Sequence, residues 1–353
     1  MSQSASRPAV GYWIFNYMPH WEAASKEIHK LMSVAEPEFR TRLMALNMTG
    51  QRLRLDRNRT TLPMPYALAA LPWLKRLAMR HHINHVVASA AERILLPRFN
   101  PQRTILTVAK AAPLAAIERN LPVLRTLRRI VVESERDLDL LRQGGVSRES
   151  IQLVYPGVDL HTYTQPPDPF TILFATSPLG RHDLLSRGIH LLIRVAQELR
   201  DVRFLLIWRE RNIEELTALV AAAGTANIVI RNGYIPDMPA VYDSVHATAL
   251  PGLEFISIKP CPHSALESLA HGKPLLVSQP SSLASLITRT GCGVVFAPVV
   301  DDLRRAITEL RSGYDRYQAP CHAVVREHFR QDECRQRYLK IYRAILAEAD
   351  EAG

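Results

Sequence analysis

Short runs of Val, Ile, Leu and Phe alternate with helical patterns, and they do so twice along the chain. The first half carries "AVGYWIF", "RLMALNM", "NHVVAS", "RTILTVA" and "RRIVVES" between segments such as "EAASKEIHKLM" and "ALAALPWLKRLAM". The second half carries "FTILFAT", "VRFLLIW", "NIVIRNGYI", "ATALP", "PLLVS" and "CGVVFAP", separated by "GIHLLIRVAQEL", "IEELTALVAAAG" and "SALESLAHG". Strands that read as near-continuous apolar runs must be covered on both faces, as in parallel sheets with crossover helices. The expected class is α/β, with two Rossmann-like, doubly wound parallel sheets.

A chain of 353 residues exceeds one ordinary core and suits two domains. The seam is expected at "YTQPPDPF", Tyr163 to Phe170, because three prolines in a short polar stretch interrupt any helix or sheet. Residues 1–163 and 164–330 are then the two domains, and 331–353 form a final amphipathic helix free to cross back to the first. Open parallel sheets bind ligands beyond the carboxyl ends of their strands. Two such domains facing across a cleft place the site there.

A formal charge of +10 favours anionic ligands: nucleotides, phospholipid headgroups, acidic glycans or nucleic acid. Nucleic acid is set aside, because no zinc-finger spacing, RNA-binding signature or long Lys/Arg block occurs. No run of about 18 residues lacks charge, so no membrane-spanning helix is expected. The start, "MSQSASRPAVGYWIF", has no basic segment followed by an apolar run, and a cytoplasmic protein is expected. Cys261, Cys292, Cys321 and Cys334 form no CxxC pair, which fits reduced thiols rather than a zinc site.

The stretch "KPCPHSALESLAHGKPLLVS", Lys259 to Ser278, carries the most chemistry. Ser264 through Ala270 has helix spacing, so the backbone N–H groups around Pro262, His263 and Ser264 lie at a helix N-terminus, where unpaired donors and the dipole favour an anion. Glu267 falls one turn in, able to accept from two ribose hydroxyls, and Gly272 sits where a left-handed residue closes the helix. Upstream, the strand "TILFATS" is followed by Arg181, and Arg187-Gly188 opens the next helix. Two guanidinium forks and a glycine suit a diphosphate.

With "VYPGVD" (Val154 to Asp159), Val131-Val132-Glu133-Ser134-Glu135, Gly233, Tyr242, Leu250-Pro251, "ALESLAHGKPLLVS" and Gly291-Cys292-Gly293, the order resembles the retaining GT-B glycosyltransferases of the glycogen-synthase-like family 4. The resemblance runs from about residue 130 to 300. It implies sugar transfer from a nucleoside diphosphate sugar to an acceptor hydroxyl or amine on a glycan, a lipid-linked molecule or a small molecule, with retention. It also implies a donor-binding set of Gly188, Arg209, Tyr234, His263, Ser264, Ala265 and Glu267. Arg181 and Arg187 would stabilise the leaving diphosphate, and Tyr234 would frame the base. No DxD-like acid pair ends a strand, so neither metal nor cofactor is expected.

The chain departs from that pattern in places. The family usually carries an acid eight residues before the ribose-binding glutamate; here that position is Lys259, and the nearest upstream acid, Glu254, lies thirteen back. Either Lys259 replaces the acid, favouring phosphate or an acidic sugar, or an insertion has moved Glu254. Lys110 follows the strand where the family commonly has a histidine, and His20 in the first loop is a second candidate for sugar contact. Pro63 to His82 reads as a basic amphipathic helix with Trp73, suited either to a buried position or to peripheral contact with an anionic membrane. The altered positions leave two further readings: a nucleotide-sugar-binding protein or inactive subunit of a transferase complex, and a nucleotide-sugar epimerase.

Overall fold

The computed structural model describes residues 7–18, 23–47, 53–56, 58–176 and 182–351. The chain divides into two compact units, 1–156 with 332–353, and 157–331.

Unit 1 is built on an eight-stranded sheet: β1 (Ala9–Phe15), β2 (Arg40–Asn47), β3 (Arg54–Leu55), β4 (Arg59–Pro63), β5 (Ile83–Ser89), β6 (Thr104–Lys110), β7 (Arg129–Val132) and β8 (Ile151–Leu153), in the order β3-β4-β2-β1-β5-β6-β7-β8. Every pairing is parallel except β3 with β4. Side chains alternate between two cores. Tyr12 and Ile14 face one that includes Ile28, Val87 and Ile105, whereas Trp13 faces another that includes Met44, Leu74 and Leu106. Both faces being apolar, the strands are the near-continuous hydrophobic runs of the sequence. The final helix, Gln331–Glu351, supplies Tyr338, Leu339, Ile341, Tyr342 and Ile345 to the first of these cores.

That core holds one imidazole. His85 Nδ1 lies 2.7 Å from the Tyr342 hydroxyl and Nε2 2.7 Å from Thr107 Oγ1, which is 3.1 Å from the Tyr338 hydroxyl. Burial pulls His85 from its ordinary 6.5 down to about 3. Between those values the unfolded chain binds a proton that the folded chain refuses, so stability falls as pH drops from 6.5 toward 3, by about 1.4 kcal/mol per pH unit for this group. Urea titrations from pH 7 to 4 should follow that slope. His85→Gln should flatten it, and an unchanged slope would remove His85 as its source.

Unit 2 is a six-stranded, wholly parallel sheet: β9 (Thr171–Ala175), β10 (Arg203–Trp208), β11 (Ile228–Asn232), β12 (Ala247–Leu250), β13 (Leu275–Ser278) and β14 (Gly293–Phe296), in the order β11-β10-β9-β12-β13-β14. The division of the chain falls at Pro156–Gly157, and the proline-rich segment lies within unit 2. Specific contacts hold this approach segment to unit 2. The His161 ring stacks on His271 at 4.0 Å, the His161 N–H donates to the Ala270 carbonyl, and the fully buried Lys273 donates to the Thr164 carbonyl beneath the Tyr163 ring. Prolines break regular structure without releasing the chain from the surface.

Pro63 to His82 forms two short helices, Met64–Ala69 and Leu71–Ala78, instead of the single one expected. Pro72 sits in the first turn of the second, where its missing N–H costs nothing, but it ends the first. Among the described residues no helix is long and apolar enough to cross a membrane.

Candidate functional site

The carboxyl edge of the unit 2 sheet collects most of the predicted donor-binding residues. β9 ends at Ala175, and a short helix, His182–Ser186, leads to Arg187 and Gly188. Gly188 has φ 77° and caps helix Ile189–Glu198; a Cβ there would lie 2.0 Å from the Pro251 carbonyl oxygen. Only glycine meets both demands. The close approach it permits is to the protein's own loop after β12, which fixes where Arg187 stands. Arg187 donates through Nη1 to Thr176 Oγ1, and its Nε is buried without a hydrogen bond among the described residues. Burial lowers the guanidinium's pKa, and Asp183 works against that shift. Arg181 lies outside the described residues.

Helix His263–Ala270 presents its N-terminus at the same edge. Pro262 holds the cap position, and no side chain caps the helix. His263 and Ser264 are half-buried, and Ala265 is buried in the turn below. At the other end Gly272, with φ 70°, closes a Schellman turn: its N–H donates to the Leu269 carbonyl and that of Lys273 to the Ser268 carbonyl. The sequence chemistry of both ends thus sets the length of this helix and where Glu267 falls.

Glu267 is anchored by groups far away in sequence. The buried Tyr242 lies beside the Glu267 carboxylate, and burial followed by that negative charge pushes the phenol well above its ordinary range, so it keeps its proton. Arg209, just past β10, has its pKa lowered by burial, with the negative charge of Glu267 acting the other way. The Tyr242 ring also stacks on His271, whose Nδ1 lies 2.9 Å from Asp243. The role of Tyr242 was not assigned from sequence, because a tyrosine ending the helix "MPAVYD" carries no local sign of its acid partner. Following Arg209, Glu210 and Asn212 adopt φ 61° and 55°. Such left-handed non-glycine residues gather at functional sites.

The other candidates have surroundings of their own. Tyr234 follows β11 and is exposed. Glu254 is also exposed; its carbonyl accepts from the Ser257 N–H and its own N–H donates to Ser257 Oγ at the start of a single 3-10 turn; Lys259 is half-buried. In unit 1, Lys110 ends β6 and donates to the Phe15 carbonyl at the end of β1, 3.4 Å away. His20 lies outside the described residues. No group of three or more His, Cys, Asp or Glu side chains suited to a metal ion occurs among the described residues.

Residues 181–320 match the family model "Glycosyl transferases group 1". The matched segment contains Arg187, Gly188, Arg209, Tyr242 and Glu267, and so takes in the whole cluster described above. No curated protein matches the chain. Among solved structures, a sucrose-phosphate synthase from Thermosynechococcus elongatus superposes with a TM-score of 0.74 at 15% identity, covering 96% of this chain and 99% of that one. HepE from Anabaena, solved with UDP and glucose, gives 0.73 at 11%, covering 95% and 99%. WaaG, a glycosyltransferase involved in lipopolysaccharide biosynthesis, gives 0.68 at 12%, covering 94% and 99%. At such identities the likeness speaks to architecture: two parallel-sheet α/β domains that match GT-B glycosyltransferase structures.

Proposed function

We propose that the chain is a glycosyltransferase that moves a sugar from a nucleoside diphosphate sugar to an acceptor hydroxyl or amine, with retention and without a metal ion, in the cytoplasm. The observation carrying this reading is the Glu267 carboxylate, held by Tyr242 near Arg209 one turn inside an uncapped helix N-terminus. A carboxylate fixed in that way can take ribose hydroxyls, while the helix N-terminus and Arg187 face the negative charge that develops as the diphosphate leaves. Charge at the leaving group dominates the barrier, and preorganised donors lower it. Arg181 joins Arg187 in this role, and the backbone at Tyr234 frames the base. His263, Ser264 and Ala265 contribute the N–H groups of the opening turn. In unit 1, Lys110 and His20 are the candidates for acceptor or sugar contact.

Lys259 favours a donor whose sugar or phosphate is anionic at that position, because the displaced Glu254 is occupied with its own turn. The same departure supports a second reading, a nucleotide-sugar-binding subunit that does not turn over.

Thermal unfolding with UDP, GDP, ADP, TDP, CMP and their sugars tests both readings. HepE has been solved with UDP and with UDP-glucose, so uridine donors come first. A ligand that binds only the folded state raises the midpoint. One diphosphate is expected to do so in the wild type and to bind about tenfold to a hundredfold more weakly to Arg187→Ala. Lys259→Ala should discriminate less between acidic and neutral sugars. No shift with any nucleotide overturns both readings, whereas a shift with neither transfer nor donor hydrolysis selects the second.

A further inference from the structure

The two helices that replaced the expected single one have an unusual outer surface. Ala67, Leu74, Leu77 and Ala78 anchor them in the core beside Met44, Leu46 and Leu62. Facing solvent are Tyr66 (66% exposed), Leu68 (49%), Trp73 (43%) and Met79 (66%), and the neighbouring edge strand β3 adds Leu55 (65%). Large apolar side chains collected within so short a stretch of surface mark a contact site rather than ordinary scatter. The chain breaks at Ala70 between the two helices, and among the described residues no element covers these side chains.

Charge specifies the occupant. Lys75, Arg76 and Arg80 are exposed among the apolar side chains, and no Asp or Glu occurs from residue 57 through 91. Asp56, at the edge, is paired with Arg54. An acidic, apolar surface complements such a face. A second copy of the same face does not, because it would bring like charges together while Asp56 is already paired with Arg54. Trp and Tyr settle at the headgroup level, where one end of the ring is wet and the other apolar.

We propose that this face of unit 1, Tyr66, Leu68, Trp73 and Met79 ringed by Lys75, Arg76 and Arg80, docks on an anionic lipid bilayer. The first helix begins directly after β4, which runs parallel to β2, so it stands at the carboxyl edge of the sheet that also ends in Lys110. From that edge the two helices run back to His82, whose N–H donates to the Ala9 carbonyl at the start of β1, so the docked face lies along one side of unit 1. That the acceptor is lipid-borne rests on the transferase reading; the docking itself does not.

The test is co-sedimentation with vesicles of phosphatidylcholine alone and of phosphatidylcholine mixed with phosphatidylglycerol. The wild type should sediment only with the mixed vesicles, less so as salt is raised. The double variant Leu68→Ser/Trp73→Ser should partition at least about tenfold less, since each removes an apolar side chain from the lipid. Lys75→Glu/Arg76→Glu should lose about tenfold or more through charge. All these side chains are exposed, so both variants should melt as the wild type does and keep its nucleotide-induced shift. That shift reports the donor site separately, so a failed transferase reading leaves the lipid result standing. Wild type that ignores anionic vesicles, binds both compositions alike, or matches its variants overturns the proposal. So does self-association in solution that Trp73→Ser abolishes, which would give the face to a second copy.

Discussion

Gly188→Ala is expected to lower unfolding stability by about 3 kcal/mol or more and to abolish nucleotide-induced stabilisation. Two costs add. Alanine at φ 77° is strained, and its methyl group would lie 2.0 Å from the Pro251 carbonyl, a backbone atom that cannot swing aside. Relief requires moving the loop after β12 or the turn carrying Arg187, and either displaces the groups proposed to hold the diphosphate. Gly224 provides the control. It has φ 61° but open space around its missing Cβ, so Gly224→Ala should lose only about 1–2 kcal/mol and keep the nucleotide shift. Urea unfolding of the two variants side by side separates strain from collision. Equal losses would mean that the Pro251 contact contributes nothing.

Glu267→Ala should weaken binding of the donor nucleotide by about a hundredfold, since hydrogen bonds to a charged acceptor rank among the stronger ones. Tyr242→Phe retains the carboxylate but removes the hydroxyl that fixes it, and a smaller loss of about tenfold is expected. Inorganic pyrophosphate lacks the ribose. Its affinity should be unchanged in Tyr242→Phe, whereas a general disturbance of the site would lower it along with the nucleotide. Isothermal titration with both ligands decides between a positioning role and a merely structural one.

Local chemistry made much of this molecule readable from its sequence. The apolar runs became β1, β2, β5, β6, β7 and all six strands of unit 2, because buried parallel strands, all of these but the edge strand β11, require apolar side chains on both faces. Helix His263–Ala270 was legible for the same kind of reason: prolines before it and Gly272 after it act within a turn of where they stand. What stayed hidden depends on partners remote in sequence. β3, β4 and β8 are short and polar or marginal, and exist through pairing with neighbours. The anchoring of Glu267 by Tyr242 bridges two elements, as does the contact of Gly188 with Pro251. The prolines of Tyr163 to Phe170 suggested a linker, yet the chain just before them is bound through His161, Tyr163 and Thr164, whose partners His271 and Lys273 lie about a hundred residues later.

The return of the final helix to the first sheet has a temporal meaning. Residues 157–331 hold everything unit 2 needs in one uninterrupted stretch, whereas unit 1 lacks Tyr338, Ile341, Tyr342 and Ile345 until the segment after residue 331 is made. During synthesis the chain emerges from its N-terminus, and domains fold as units. The half made first is thus the half completed last. Until then, Tyr12, Ile14, Val87 and Ile105 have only the part of their cover that Ile28 and its helix supply, and the His85 imidazole waits for Tyr342. A nascent chain that stalls before residue 332 carries a finished second unit and an unfinished first one, whose exposed apolar surface is of the kind chaperones bind.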